Sequence, residues 1–495
     1  MNDIRVTYSG LISFFTSIFS TITGLIFVII VTRQLEPEEF GLWTLIGSLI
    51  TYVVIAHPVI SYWTTRQISR GIEVGKTALF TSGIFSVVGF GIYAVVALYV
   101  SSTLGAPVEI LFLASFLIPL NYLNNIISSI SLGFKPQIPS YGLASFELAK
   151  LPLGFIFVYY FEFGLIGALF TIILANSVKL IILIVMTREK FFGAIKRDII
   201  SFWLKMSWLT GYQNIPQLLN TLDVLLYTIF IGSYVGLAFW AASQTISYLV
   251  IHSSKIYQGL LPKLLATEQK AFAETSINRT LFFGLPIFAF SIIFAKPGLH
   301  ILNPLYVESV NVIYFLSTAV FFNVIRTLFF EILAGYDKVD VNLQSSFRNY
   351  IKSKLFFIPT LNLIYSFSFV VTLAIFLILF SSNFSELEVI EIWALIMLCV
   401  TIPFTIYTFI VVQREHKISF PIKKILKYGF ATLFSSLISF ILLQKYLTFH
   451  ESIFEFLPEL IPYVIFAGLL YFGLLFVIDS STRKLYRQII QELRR

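Results

Sequence analysis

The chain is 495 residues long, 57% hydrophobic and 12% charged, with a formal net charge of +8. That composition, with a mean hydropathy of +0.87, excludes an ordinary soluble domain. The positive charge is spread over the breaks between apolar stretches, as in loops facing an anionic membrane leaflet, so it implies no nucleic-acid partner.

In chain order, apolar stretches fall near 8–32, 41–62, 77–100, 108–130, 140–160, 164–186, 206–231, 235–254, 279–297, 307–333, 355–380, 389–412, 425–447 and 457–478. Each is roughly 20 to 25 residues long, enough to cross a ~30 Å hydrocarbon core as a helix. The first is too long for the apolar core of a signal peptide and lacks a small-residue cleavage site, so it is read as a span. Alternate breaks collect Lys and Arg. They hold Arg66, Arg70 and Lys76; Lys135; Arg188, Lys190, Lys196, Arg197 and Lys205; and Lys255, Lys263 and Lys270. Further on come Lys338, Arg348, Lys352 and Lys354; then Arg414, Lys417, Lys423, Lys424 and Lys427; then Arg483, Lys484, Arg487, Arg494 and Arg495. The other breaks hold only Arg33, Lys296 and Lys445 and gather acids such as Glu36, Glu386, Glu451 and Glu459. The positive-inside bias therefore predicts a multi-pass protein of the cell membrane with both termini cytoplasmic, which requires an even number of spans; fourteen satisfies it.

No break is long enough to house a catalytic domain. There is no G-x-x-x-x-G-K-[ST] phosphate loop and no Cys/His cluster, so no enzyme activity, cofactor or metal site is expected. The single cysteine, Cys399, lies in an apolar run and is expected to be a packed thiol.

Phe40-Gly41-Leu42-Trp43, followed by Ser48-Leu49-Ile50-Thr51-Tyr52-Val53-Val54-Ile55, is echoed by Val235-Gly236-Leu237-Ala238-Phe239-Trp240 and Ile246-Ser247-Tyr248-Leu249-Val250-Ile251. Six spans separate the copies, so both lie the same way up, as in a parallel duplication. This predicts an N-terminal six-helix lobe over 1–204, a second over 205–424, and two further helices and a tail over 425–495.

Val31-Thr32-Arg33-Gln34-Leu35-Glu36-Pro37-Glu38-Glu39-Phe40-Gly41-Leu42-Trp43 resembles the segment that ends the first span of polysaccharide and O-antigen flippases of the multidrug/oligosaccharidyl-lipid/polysaccharide exporter superfamily. Phe163-Gly164-Leu165-Ile166-Gly167-Ala168 is similar to the opening of their sixth span. Asp223, Ile231-Gly232-Ser233-Tyr234-Val235-Gly236 and Leu261-Pro262 resemble their seventh and eighth. Glu36 stands where that family usually has Gly, and no second G-x-x-G-A precedes the twelfth span. The resemblance implies an all-α fold of two bundles around a central cavity, carrying a lipid-linked oligosaccharide by alternating access.

Polar residues inside apolar stretches are costly and usually face a cavity or a partner. Gln213, Gln217, Asn220, Asp223 and Tyr227 recur at three- and four-residue steps and share one face of the seventh span. Asn121, Asn124, Asn125 and Ser128 form a strip in the fourth span; Ser13, Thr16, Ser17, Ser20 and Thr23 form one in the first. Each strip is readable as interhelical hydrogen bonding or as the wall of a wet cavity. Three cations lie deep: Lys150, Lys179 and Arg326. Lys150 has Glu147 one turn away, so an ion pair and a substrate role are both open. Lys179 is within partial snorkelling reach of its span's inner end. Arg326 has the strongest case, because a guanidinium grips phosphate through paired donors. His57-Pro58 is read as a kink with the histidine bonded to a neighbour.

The reading is a flippase for a polyprenyl-linked oligosaccharide used in surface polysaccharide or glycan assembly, in contact with membrane lipids and that cargo. Arg326, Lys179, Lys150, Asp223, Asn220, Gln217 and Asn124 are its candidate cavity residues. The alternative is a cation-coupled multidrug or metabolite antiporter of the same superfamily that uses Asp223 as its ion site. A scaffold without transport is a third possibility, distinguished by polar faces packed wholly against each other.

Overall fold

The computed structural model describes residues 6–69, 71–257, 260, 264, 269–337, 349, 351–480 and 482–483. Arg70, Leu261-Pro262, Lys263, Lys338, Arg348 and the tail from Lys484 onward lie outside the described residues, as do the side chains of Ser13 and Lys255.

Every regular element among the described residues is helical. Hydrocarbon offers no water to a free N–H or C=O, and an α-helix satisfies both within itself. Among the described residues, eleven helical segments are long and apolar enough to cross a membrane, or twelve if Pro37–Val54 and Pro58–Ser69, bent by 59°, count as one span. The chain is thus an all-helical multi-pass membrane protein; the count of fourteen is finer than these helices establish. Two of the expected spans explain the difference. The first is helical over Val6–Gln34, but its described apolar part is Phe19–Gln34. The seventh is helical over Ser207–Ile231, and Gln213, Gln217, Asn220 and Asp223 lower its hydropathy.

The surface is apolar, as a lipid solvent requires: Val87 is 74% exposed and Phe454 80%. Cys399 also lies exposed, on Glu386–His416, which corrects the expectation of a packed thiol. That helix is apolar on all sides over most of its length, so its sequence carries no signal of which face is inward.

The chain forms two compact units, Met1–Ala238 with Ala374–Ser381, and Phe239–Leu373 with Ser382–Arg495. The first contains α1 (Val6–Gln34), α2 (Pro37–Val54), α3 (Pro58–Ser69), α4 (Gly75–Leu104), α5 (Val108–Ser115) and α6 (Leu117–Phe134). It continues with α7 (Ile138–Gly154), α8 (Gly164–Thr187), α9 (Arg197–Lys205) and α10 (Ser207–Ile231). Helix α7 packs along α8 and α1, and α6 along α3, α4 and α8. The bend between α2 and α3 falls at His57-Pro58, where proline has no N–H to donate and His57 Nδ1 lies 3.1 Å from Ser61 Oγ. This is the kink with a neighbour-bonded histidine that the sequence predicts.

The segment around Glu36 starts a helix. Its backbone N–H donates to the Glu39 carboxylate at 3.3 Å, and the other oxygen of Glu39 accepts from Leu165 N–H at 3.2 Å. One acid thus serves the N-termini of both α2 and α8, where exposed N–H groups and the helix dipole favour negative charge. Gly41 is required by close approach: a Cβ there would lie 1.8 Å from the Tyr234 carbonyl oxygen. Its counterpart in the repeat, Gly236, would place a Cβ 1.9 Å from the Tyr227 hydroxyl.

The second unit is built from most of α11 (Val235–Ser247), α12 (Lys270–Ile293), α13 (Ala295–Leu302), α14 (Val310–Gly335) and α15 (Lys354–Leu379). It continues with α16 (Glu386–His416), α17 (Ile422–Tyr446) and α18 (Ile453–Ile478). Helix α14 packs along α16. Trp240 of α11 stacks on Trp393 of α16 with ring centroids 3.9 Å apart. The α17–α18 hairpin fastens to α12 through Tyr428, which donates to Asn278 Oδ1 at 3.1 Å, and Tyr471, which donates to the Phe282 carbonyl at 2.5 Å.

Candidate substrate-binding residues

In the first unit, Glu147 and Lys150 are one turn apart on α7, both buried, and form an ion pair at 2.5 Å. Ser20 and Thr23, one turn apart on α1, donate to the two oxygens of Glu147 at 2.6 Å each. The Lys150 ammonium also lies 5.0 Å from the Phe146 ring and 5.6 Å from Phe27. Of the two roles open for Lys150, the structure thus shows the ion pair made, with two hydroxyls completing the carboxylate. Three donors fix one carboxylate, and that joins α1 to α7 through a charged cross-link in which both oxygens are engaged.

Lys179, on α8, is half-buried and interacts electrostatically with the same Glu147, without a direct salt bridge among the described residues. Two ammonium groups therefore face one carboxylate, an excess of one positive charge. Asn124 is buried on α6; its Nδ2 donates to the Asn176 carbonyl at 3.2 Å, three residues before Lys179 on α8. Asn124 thereby bonds two helices together, while its Oδ1 meets no partner among the described residues.

The polar strip of α10 is split by depth. Gln213, Gln217 and Asn220 are exposed; Asp223 and Tyr227 are buried. The Asp223 carboxylate accepts from the Val224 N–H at 2.7 Å and has no salt-bridge partner among the described residues. Tyr52 of α2 donates to the Thr221 carbonyl, which ties this part of α10 to α2.

Arg326 belongs to the second unit and is buried on α14, 5% exposed. Asn323, at i−3, accepts from its Nη2 at 2.7 Å. The guanidinium carbon lies 3.7 Å from the ring centroid of Tyr365 on α15, a stacking distance, and 5.8 Å from Phe330. The Tyr365 hydroxyl is in turn 3.1 Å from Thr401 Oγ1 on α16. The Nε and Nη1 groups meet no hydrogen-bond partner among the described residues. A flat cation is therefore held in place on one face and at one corner, with two donors unspent. Sequence reasoning identifies Arg326 and Asn323 from their spacing but misses Tyr365 and Thr401, since nothing in an apolar span marks which tyrosine will meet a cation on another helix.

These observations describe a polytopic helical membrane protein that buries unpaired or partly paired charge. Comparison with solved structures gives this fold its class. The lipid II flippase MurJ in an inward closed conformation superposes with a TM-score of 0.65 at 13% identity, covering 97% of this chain and 100% of that one. A multidrug resistance MATE family transporter of the MOP superfamily gives 0.60 in its inward-facing conformation, at 15% identity over 81% of this chain and 96% of that one. The outward-facing conformation of such a transporter gives 0.53 over 84% and 96%, again at 15% identity. No family model and no curated protein matches the sequence. The chain thus shares the fold of a lipid II flippase and of multidrug transporters.

Proposed function

We propose that this protein is a membrane flippase that carries a polyprenyl-linked oligosaccharide by alternating access, for assembly of surface polysaccharide or glycan. The observation that supports it is the buried Arg326, whose Nε and Nη1 meet no hydrogen-bond partner among the described residues and whose plane is set by Tyr365 and Asn323. An unpaired charge in a low-dielectric setting costs several kcal/mol, so its retention favours an anionic ligand that completes it. A phosphate ester presents the oxygens that a guanidinium fork matches. Lys179, facing a carboxylate already bonded to Lys150, adds a second cation to the same reading. The lobes 1–204 and 205–424, the appended helices of 425–495 and the cytoplasmic termini belong to this proposal. The exposed Gln217 and Asn220 are assigned to the sugar and the buried Asn124 to shaping the wall.

A second reading has its own observation. Asp223 is a buried carboxylate without a cation partner among the described residues, the kind of group that carries a coupling proton or sodium ion in an antiporter. The fold is shared by a lipid flippase and by multidrug transporters, so it favours neither cargo. The test is transport of a fluorescent polyprenyl-linked oligosaccharide in reconstituted vesicles. Arg326→Ala is expected to slow it at least about tenfold, the weight of one charge-assisted contact, and Arg326→Lys to fall between the two. Unchanged transport by folded Arg326→Ala removes the assignment's principal residue.

A further inference from the structure

At the Lys- and Arg-poor ends of the helices, the second unit holds a cavity of about 580 Å3 that the transport reading does not use. It lies where the end of α12, the first turn of α13, the start of α14 and the end of α17 meet. Ile292, Ile293, Phe440 and Leu443 give it apolar walls, and Phe449 closes one side. That side is fixed: the Phe449 ring meets His300 edge-on at 5.0 Å and stacks on Phe456 at 5.4 Å. The polar part of the lining is Lys296, Gln444 and Tyr314, with no acid among the lining residues.

Lys296 is an exposed residue of this lining, and three of its properties bear on what the cavity holds. It sits in the first turn of α13, where the helix dipole disfavours a cation. It makes no salt bridge among the described residues, and its ammonium lies 5.1 Å from the centroid of the Phe449 ring. It is also one of only three cations, with Arg33 and Lys445, in the acid-rich set of breaks. A cation kept at an unfavourable helix end, beside a cavity and without an acid, is accounted for by an anion that enters the cavity. The apolar walls require that this anion carry hydrocarbon. Phe440 and Ile441 beside them are 43% and 53% exposed on a surface that faces lipid, so a chain has access from the bilayer.

We propose that this cavity binds one anionic phospholipid, its phosphate at Lys296 with Gln444 and Tyr314, and one acyl chain along Ile292, Ile293, Phe440 and Leu443. The site is independent of the translocated cargo. Native mass spectrometry of the full-length protein in detergent, titrated with dioleoylphosphatidylglycerol or dioleoylphosphatidylcholine, tests it. The wild type is expected to retain one phosphatidylglycerol in preference to phosphatidylcholine, and Lys296→Gln to weaken that retention about tenfold, while Lys296→Arg keeps it. Lys445→Gln, at the same end but directed at the Tyr446 ring 5.2 Å away, is expected to leave it unchanged. Equal retention of the two lipids, or equal loss in Lys445→Gln and Lys296→Gln, overturns the site. Displacement of the lipid by soluble glycerol 3-phosphate at the same concentration also overturns it, because the pocket would then hold an anion without needing the chain.

Discussion

Arg326 and Lys150 are both buried cations, and their surroundings assign them opposite roles. Lys150 is answered by Glu147, whose carboxylate is completed by Ser20 and Thr23. Breaking such a pair strands a buried charge, so Lys150→Ala is expected to destabilise the protein by about 3 kcal/mol. Glu147→Gln with Lys150→Met should cost less than either single change; thermal unfolding in detergent measures the cycle. Arg326 is answered only in part. Removing it deletes an incompletely satisfied charge, so Arg326→Ala should leave the unfolding temperature nearly unchanged while transport falls, which separates a ligand-binding role from a structural one. Asp223 discriminates the two cargo readings: on the proposed flippase function, Asp223→Asn is expected to slow lipid-linked sugar movement only partly, since that proposal assigns the phosphate to the cations. The sequence alone singles out all of these residues, because a charge in an apolar run is conspicuous. Their partners were legible only where helical spacing supplies them, as Glu147 for Lys150 and Asn323 for Arg326. Tyr365 was hidden because its contact with Arg326 depends on how two separate helices meet.

At the scale of elements, the family-like segments prove to be instructions for starting and packing helices. Glu39 serves two helix N-termini, and Gly41 lies against the Tyr234 carbonyl so closely that no side chain fits. Gly41→Ala forces a displacement of backbone rather than of a flexible side chain, and is expected to cost about 2 kcal/mol or more in thermal unfolding, as overpacking does. Gly236→Ala pushes instead on the tip of the Tyr227 side chain and should cost less. The kink at His57-Pro58 was readable from proline's missing donor. Helix α10 shows where reading by hydropathy runs out: its polar strip is what makes it a functional candidate and also what removes it from the set of apolar spans. Cys399 shows the converse, since an apolar helix in lipid has no polar face from which to infer the buried one.

For the whole molecule, the all-helical membrane architecture follows from composition, and the fold class from segments within the first 265 residues. Orientation rests on the alternation of basic and acidic breaks, which predicts opposite sides for the two ends of α16. In a Cys399→Ser background, cysteine at Ser382 should react with an impermeant maleimide on intact cells, and cysteine at Lys417 only after the membrane is opened. The reverse pattern would invert the side on which the proposed flippase loads its cargo. Cargo itself is the central claim, and one experiment addresses it most directly: vesicles containing the purified protein, given in parallel a fluorescent polyprenyl-linked oligosaccharide and a cationic dye under a proton or sodium gradient. The account predicts movement of the lipid-linked sugar that depends on Arg326, with no gradient-driven dye efflux. Dye efflux abolished by Asp223→Asn, with no movement of the lipid-linked sugar, would contradict it and identify a cation-coupled antiporter on the same fold.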